Sequence, residues 1–377
     1  MSSAEDRKAL TELAAGFARR EILPHVEEWE QAGELPRDLH AKAGKAGLLG
    51  LGYPEELGGG GSHLDLMAAE EELILSGVPT GVLAGLFTHG IAIPSILRHG
   101  TEEQKDRFVR PALRGEKICA LGVTEPGGGS DVASIRTTAR RDGDHYVVNG
   151  SKTFITSGAR ADFVTTAVRT GGEGHRGVSL LVIEKGTPGF TVSRKLDKMG
   201  WRSSDTAELA FNDARVPAGN LIGAENKGFK FIMEQFQGER LSIALQCAAV
   251  AQRCVDLSIE WVKNRETFGA PLATRQVVRH KIAEMARQAS VARTYVWEIA
   301  RRWESGEDVS TETSMAKNTA VYAAEHVVHE AVQLHGGMGY MRESEVERHY
   351  RDIRIMGIGG GTNEIMNEII AARIIGI

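Results

Sequence analysis

Four glycine-rich segments hold most of the residues able to do chemistry. Gly122-Val123-Thr124-Glu125-Pro126-Gly127-Gly128-Gly129-Ser130-Asp131 sets a hydroxyl at each end of three consecutive glycines, whose backbone amides can come close to an anion or a planar ring. Glycines alone would mark a plain interdomain loop; Thr124 and Ser130 weigh against that. Gly150-Ser151-Lys152-Thr153-Phe154-Ile155-Thr156 ends a strand with an aromatic ring and a hydroxyl two residues apart, expected on one face of the pleat, a ring that stacks and a donor that reaches a heteroatom. Gln333-Leu334-His335-Gly336-Gly337-Met338-Gly339-Tyr340 closes a helix, and the charges that follow, Glu345, Glu347, Arg348, Arg351, Asp352 and Arg354, read as an interhelical ion-pair network. Gly357-Ile358-Gly359-Gly360-Gly361-Thr362-Asn363-Glu364 runs a glycine loop into a helix capped by Thr362, with free amides suited to a phosphate or a developing oxyanion.

Other chemistries lack their parts. No Gly-x-Gly-x-x-Gly follows a strand, and the P-loop spacing of Gly223 to Gly228 ends in Phe229 where the lysine should be. His326 and His329 lie one helical turn apart beside Glu325 and Glu330 without a third ligand at usable spacing, so a solvated face is expected and no metal site. Ser130 has no strand-to-helix nucleophile elbow around it. Cys119, Cys247 and Cys254 form an odd set without a Cys-x-x-Cys pair, which fits a reducing compartment. Cys247 and Cys254, two turns apart in an apolar segment, read as buried thiols acting as small hydrophobes.

The elements that must position these segments fall into three territories. A chain of 377 residues exceeds what one hydrophobic core usually organises. From Ala4 to about Ile118 the apolar spacing follows helical three-and-four steps, as at Leu10, Leu13 and Phe17. From Ile135 the texture turns β-branched and alternating, with Asp142-Gly143 and Asn149-Gly150 as tight-turn signals, and Phe163–Thr166, Val178–Ile183 and Ala207–Phe211 as further strands. Helical periodicity returns from about Lys227 to Arg302, then from Thr311 to Leu334 and from Thr362 to Ile375. The expected division is a helical domain over 1–119, a β-domain over 120–222 and a helical domain over 223–377. The 45 Lys and Arg against 50 Asp and Glu give a formal net charge of −5, without the basic excess of nucleic-acid binding, and no apolar run has membrane-spanning length. The start, Met1-Ser2-Ser3-Ala4-Glu5-Asp6, looks like neither a signal nor a transit peptide, so a cytoplasmic protein is expected.

Together with Arg265-Glu266-Thr267-Phe268-Gly269 and Gln276, the four segments closely resemble the acyl-CoA dehydrogenase family of flavoproteins across essentially the whole chain. The resemblance implies an α+β multidomain fold: an N-terminal helical domain, a central β-barrel-like domain and a C-terminal four-helix bundle, in agreement with the territories above. It implies FAD, with Thr124 and Thr156 matching residues that bond the isoalloxazine ring and Ser130 matching one that touches both FAD and substrate. Phe154 stands where the family usually has Trp beside the flavin, so the electron-acceptor side is where a difference is expected. Arg265, Phe268, Gln276, Gln333 and Gly337 match positions that hold FAD from a neighbouring subunit, which implies a homo-oligomer, commonly a tetramer. Thr362 and Glu364 match further FAD contacts, and Arg240 and Gly361 match substrate contacts. The implied reaction removes an α-proton and a β-hydride from an acyl-CoA, and electrons pass to an electron-transfer flavoprotein. A flavin-dependent oxidase or monooxygenase, a dehydrogenase of carrier-protein-bound thioesters and a noncatalytic binder are the competing readings.

The base does not lie where many members place it, in a Tyr-Glu-Gly-Thr loop: here Gly359-Gly360-Gly361-Thr362 offers no carboxylate. Long-chain and isovaleryl-type members carry the Glu on a C-terminal-domain helix, and Glu239 in Phe236-Gln237-Gly238-Glu239-Arg240-Leu241 matches that site. An unselected helical glutamate is ordinarily an exposed ion-pair partner; the missing loop carboxylate reverses that expectation. The Gly360 amide would then polarise the thioester carbonyl. A carboxylate returned to position 360 is expected to restore part of the activity lost with Glu239.

Overall fold

The structure is a computed structural model that describes residues 4–376. Its first part is helical: α1 (Ala4–Phe17), α2 (Val26–Ala32), α3 (Arg37–Lys45), α4 (His63–Leu75), α5 (Thr80–Leu86), α6 (His89–Ala92), α7 (Pro94–His99), α8 (Glu102–Gln104) and α9 (Arg110–Leu113). Ser62 starts α4 through a capping box with Asp65, and Pro94 occupies the first turn of α7, where a missing N–H costs nothing.

A seven-stranded curled sheet follows: β1 (Cys119–Gly122), β2 (Thr138–Asp142), β3 (His145–Thr156), β4 (Phe163–Arg169), β5 (Val178–Glu184), β6 (Phe190–Lys195) and β7 (Thr206–Pro217). The order runs β1-β4-β2-β3-β7-β6, with β5 on β4, and β1 parallel to β4. Asp142 pairs with His145 across a two-residue turn, and Gly143 supplies the positive φ, +62°, that such a turn needs. Asn149-Gly150 is not a turn. It lies inside β3 at a register shift against β7, where Gly150 takes φ +144° and a Cβ would stand 2.6 Å from Thr137 Oγ1. A bulge and a turn call for the same small residue, and the sequence cannot separate them.

The last part holds α10 (Gly228–Asn264), α11 (Gln276–Glu304), α12 (Ser310–His335), α13 (Glu345–Ile353) and α14 (Asn363–Ile375). The single helical run expected from Lys227 to Arg302 is broken after Asn264 by a small hairpin, β8 (Glu266–Thr267) and β9 (Ala270–Pro271). Phe268 and Gly269 form its tip at φ +52° and +75°, and Pro271 lacks the donor to continue a helix. The expected order of helical, β and helical parts, with an α+β fold, is what the structure has.

One apolar cluster joins the two helical parts, from Ala14 and Phe17 of α1 and Met67 of α4 to Leu245 of α10, Ala292 of α11 and Ala320 of α12. A second joins Ile93 and Ile96 to Phe163 and Val178 of the sheet and to Phe231 and Ile232 of α10. A third fills the sheet itself, around Tyr146, Leu209 and Phe211. Helix α10 is therefore the common strut of the molecule. The charges of α13 form the expected network: Glu345 takes a bidentate pair from Arg253 of α10, and Arg351 reaches Glu30 of α2.

Candidate functional site

Glu239 sits in the first third of α10, three residues after Phe236, which packs on the same apolar cluster as Val123 of the 122–131 loop. The helix thus carries the carboxyl to the junction of all three parts. There Glu239 Oε2 is buried without a hydrogen-bond partner among the described residues. Burial pushes the group up to about 7, and the positive charges of Arg240 and Lys317 hold it back from rising further. An uncompensated buried carboxyl is costly, and a site that keeps one poised near neutrality is suited to accepting a proton.

Opposite lies the 357–361 loop. The N–H groups of Ile358 and Gly359 are taken by Ile355 O, at 2.9 and 2.8 Å, while Gly360 N–H has no acceptor among the described residues. Gly360 and Gly361 have φ of +64° and +92°, conformations that L side chains rarely adopt. A Cβ placed on Gly360 would stand 3.6 Å from Glu239 Oε1 and would overlap Ile243 Cδ1. Arg240 Nε donates to Gly360 O at 3.3 Å, and its guanidinium lies 3.7 Å from where a Gly361 Cβ would be. Thr362 ends the loop by accepting from Ile365 N at 3.2 Å, which caps α14, and Glu364 lies in that helix's first turn. Glu239, Arg240, Gly360, Gly361 and Thr362 therefore share one neighbourhood.

Thr124, Phe154 and Thr156 lie on the β side, in the 122–131 loop and at the end of β3. Thr153 N donates to Thr124 O at 2.9 Å, and Lys152 Nζ reaches both Val123 O at 3.0 Å and Glu125 Oε1 at 2.8 Å, so the glycine loop is clamped to β3. Nothing in the sequence pattern singles out this buried Glu125–Lys152 pair. Lys152 lies in an alternating strand, and only its place beside a loop carboxylate explains its burial. Phe154 and Thr156 do not share the regular pleat expected of them: the strand is irregular between Lys152 and Ile155, and Phe154 has φ +59°. The bulge instead turns the Phe154 ring outward, 68% exposed, beside the half-buried hydroxyls of Thr124 and Thr156. Gly127 and Gly128 have open space on their Cβ side, and Ser130 is exposed. An outward ring, flanking hydroxyls and a glycine loop open on its Cβ side fit a flat heteroaromatic ring with polar edges, the group a flavin presents.

Arg265, Phe268, Gln276, Gln333 and Gly337 gather elsewhere. Trp261 Nε1 donates to Leu334 O at 3.0 Å and its ring stacks on His335, which ties the end of α10 to the end of α12. Arg265 caps α10 26 residues beyond Glu239, about 39 Å along the helix axis. Phe268 is 97% exposed. This second group is thus remote from Glu239 within one chain and faces outward.

Sequence reasoning missed Ile243 and Lys317. The three cysteines are free and buried. No helix among the described residues is long and apolar enough to cross a membrane.

Three family models match the chain: the acyl-CoA dehydrogenase N-terminal domain over residues 4–116, the middle domain over 120–214 and the C-terminal domain over 226–375. The solved structure of a probable acyl-CoA dehydrogenase from Mycobacterium abscessus is 64% identical, with a TM-score of 0.98 and 99% of each chain covered. The mitochondrial long-chain specific acyl-CoA dehydrogenase of Mus musculus is 42% identical over 364 residues, 95% of this chain and 84% of the relative. An acyl-CoA dehydrogenase of Bacillus subtilis is 38% identical over 378 residues, covering the whole of both chains.

Proposed function

The chain belongs to the acyl-CoA dehydrogenase family, FAD-dependent oxidoreductases of the CH–CH bond, and on that premise we propose that it converts an acyl-CoA thioester to the trans-2-enoyl-CoA with Glu239 as the base. The observation that carries this reading is the half-buried Glu239, whose Oε2 is enclosed without a partner and whose Oε1 faces a loop with no side chain at Gly360. Glu239 takes the α-proton, and the electron pair of that C–H bond becomes the new α,β double bond. Gly360 N–H donates to the thioester oxygen as negative charge grows on it. Arg240 holds the Gly360 carbonyl, so the donor keeps its aim. When bound, FAD supplies the acceptor for the hydride that leaves the β-carbon. Thr124, Ser130, Phe154 and Thr156, with Thr362 and Glu364, would hold it in the same chain.

The absence of side chains at Gly359 and Gly360 widens the space near the acyl carbons, which favours long or branched chains. An electron-transfer flavoprotein is the acceptor we assign, and the cytoplasm the compartment. We also divide the chain functionally at 119 and 222, as its composition suggests. The test is an anaerobic screen with straight, branched and aromatic-ended acyl-CoAs. Bleaching of the flavin by at least one, with slow reoxidation in air, supports the dehydrogenase; no bleaching by any removes it, and fast reoxidation makes it an oxidase.

The remoteness of Arg265, Phe268, Gln276, Gln333 and Gly337 from Glu239 is what contacts to a neighbouring chain's FAD require. We therefore assign a homo-oligomer, with a tetramer as the expected state. Arg265→Ala should lower flavin occupancy and oligomer stability together, read by absorbance ratio and sedimentation. A monomer that retains stoichiometric FAD defeats that assignment.

Phe154→Ala should weaken FAD binding, or raise oxygen reactivity of the reduced enzyme, by more than it changes acyl-CoA affinity. Ring–ring contacts of this kind contribute about 1 kcal/mol, or roughly a fivefold change in affinity. Phe154→Trp should be tolerated at the outward-facing position. An effect confined to acyl-CoA affinity would put the ring on the wrong side of the site.

A further inference from the structure

Lys317 is fully buried in the first third of α12, on the stripe formed by Thr313, Ala316, Ala320 and Ala324. A lysine on the apolar face of a helix costs several kcal/mol unless its ammonium is fully engaged. Here Nζ donates to Met356 O at 2.9 Å and to Gly361 O at 2.8 Å. These two carbonyls stand immediately before and at the end of the segment that presents Gly360. Between them lie Gly357, Ile358, Gly359 and Gly360, a run with one side chain to brace it. Lys317 Cε lies 3.8 Å from the position of a Gly360 Cβ, so the side chain passes beside the residue that presents the amide. Burial lowers Lys317 to about 8, with Cys247 and Glu239 of α10 raising it and Arg240 lowering it, so the ammonium is the main form at neutral pH.

We propose that Lys317 is a positioning residue for the thioester oxyanion: its ammonium clamps both ends of the glycine loop, so that Gly360 N–H stays aimed while negative charge develops. The inference rests on the dehydrogenase reading above and adds to it a residue that touches neither substrate nor flavin. The physical need is specific. Three consecutive glycines give the loop more conformational freedom than any other composition. An oxyanion donor, however, contributes only when held in place before the charge appears. Arg240 fixes the loop from the α10 side through a longer contact, 3.3 Å, and cannot by itself hold both ends.

The test uses the holoenzyme and trans-2-dodecenoyl-CoA labelled with 13C at the thioester carbonyl, whose stretching frequency in the bound state reports hydrogen bonding to that oxygen. In the wild type the stretch should shift to lower frequency on binding. In Lys317→Met it should return most of the way to the free value, and flavin reduction by the saturated acyl-CoA should fall about 10²–10³-fold, the cost of losing one oxyanion donor. FAD content and acyl-CoA dissociation constant should change less than about threefold. Lys317→Gln, which can keep one of the two bonds, should be intermediate in both readouts, and guards against a Met variant that fails to fold. In Glu239→Gln the shift should persist although reduction is lost. An unaltered carbonyl stretch in folded Lys317→Met, or in Lys317→Gln if the former is insoluble, overturns the clamp and leaves Lys317 a purely structural residue. Failure of the wild type to bleach with any acyl-CoA defeats the dehydrogenase reading instead, and the stretch comparison still decides the clamp.

Discussion

Glu239→Gln should abolish most flavin reduction, by about two to four orders of magnitude, while FAD content stays unchanged. The amide keeps the shape and removes the basicity, so the loss measures proton abstraction alone. The wild-type rate should rise with pH through about 7, where burial has placed the Glu239 carboxyl, because only the ionised form accepts the α-proton. The same burial gives a stability signature of defined sign. A carboxyl raised from 4.5 to about 7 on folding binds its proton more tightly in the folded state. The stability it permits is fully present below the unfolded value and is lost as pH rises through about 7. Substrate-free Glu239→Gln has no such loss. It should therefore gain on the wild type between pH 5 and pH 8, by at most about 3 kcal/mol. Denaturant midpoints of the two proteins at both ends of that range would show it. Wild-type reduction rates in the variant would move the base to another carboxylate facing the flavin; a pH-independent stability difference would mean that the group is not buried as described.

The helical, β and helical order rests on periodicity over long windows, and periodicity survives whatever the tertiary context. Glu239 was legible only through the family resemblance, which placed a loop carboxylate where Gly360 stands and matched Glu239 to the helix site of the long-chain and isovaleryl-type branches. The hairpin at Glu266–Pro271 was less so, because the apolar stripes of α10 and α11 continue on either side and only Gly269 and Pro271 interrupt them. The left-handed backbone of Phe154 could not be read at all, since an aromatic residue gives no local reason for φ +59°; the register shift against β7 imposes it. Lys317 had a signal, a lysine in phase with Thr313, Ala320 and Ala324, but a snorkelling surface lysine has the same pattern until its acceptors are located. For Glu239, Phe154 and Lys317 the missing information was a partner distant in sequence.

Ile243 is such a distant partner, because it stands where a loop carboxylate would have to pass. Glu239→Gly combined with Gly360→Glu moves the carboxylate to the position other family branches use, and the two sites face the same point: a Cβ at position 360 lies 3.6 Å from the present Glu239 Oε1. From the sequence this exchange is expected to restore partial activity. The structure opposes it on two counts. The new side chain must start from φ +64°, a conformation that costs an L residue roughly 1–2 kcal/mol, and its Cβ would overlap Ile243 Cδ1. The double variant should accordingly regain about tenfold less than a carboxylate seated at position 360 without the overlap would, the loss of rate that about 1.4 kcal/mol of residual strain sustains. Adding Ile243→Ala removes the overlapping methyl and leaves only the backbone cost. The triple variant should recover at least a further tenfold in flavin reduction and in α-proton exchange with deuterated solvent, with a preference for shorter acyl chains because the new carboxylate occupies the widened pocket. Equal recovery in the double and triple variants would show that Ile243 yields freely and is no obstacle. No recovery in either, with FAD bound, would mean that position 360 does not face the α-carbon, and the roles of Gly360 as oxyanion donor and Glu239 as base would fall together.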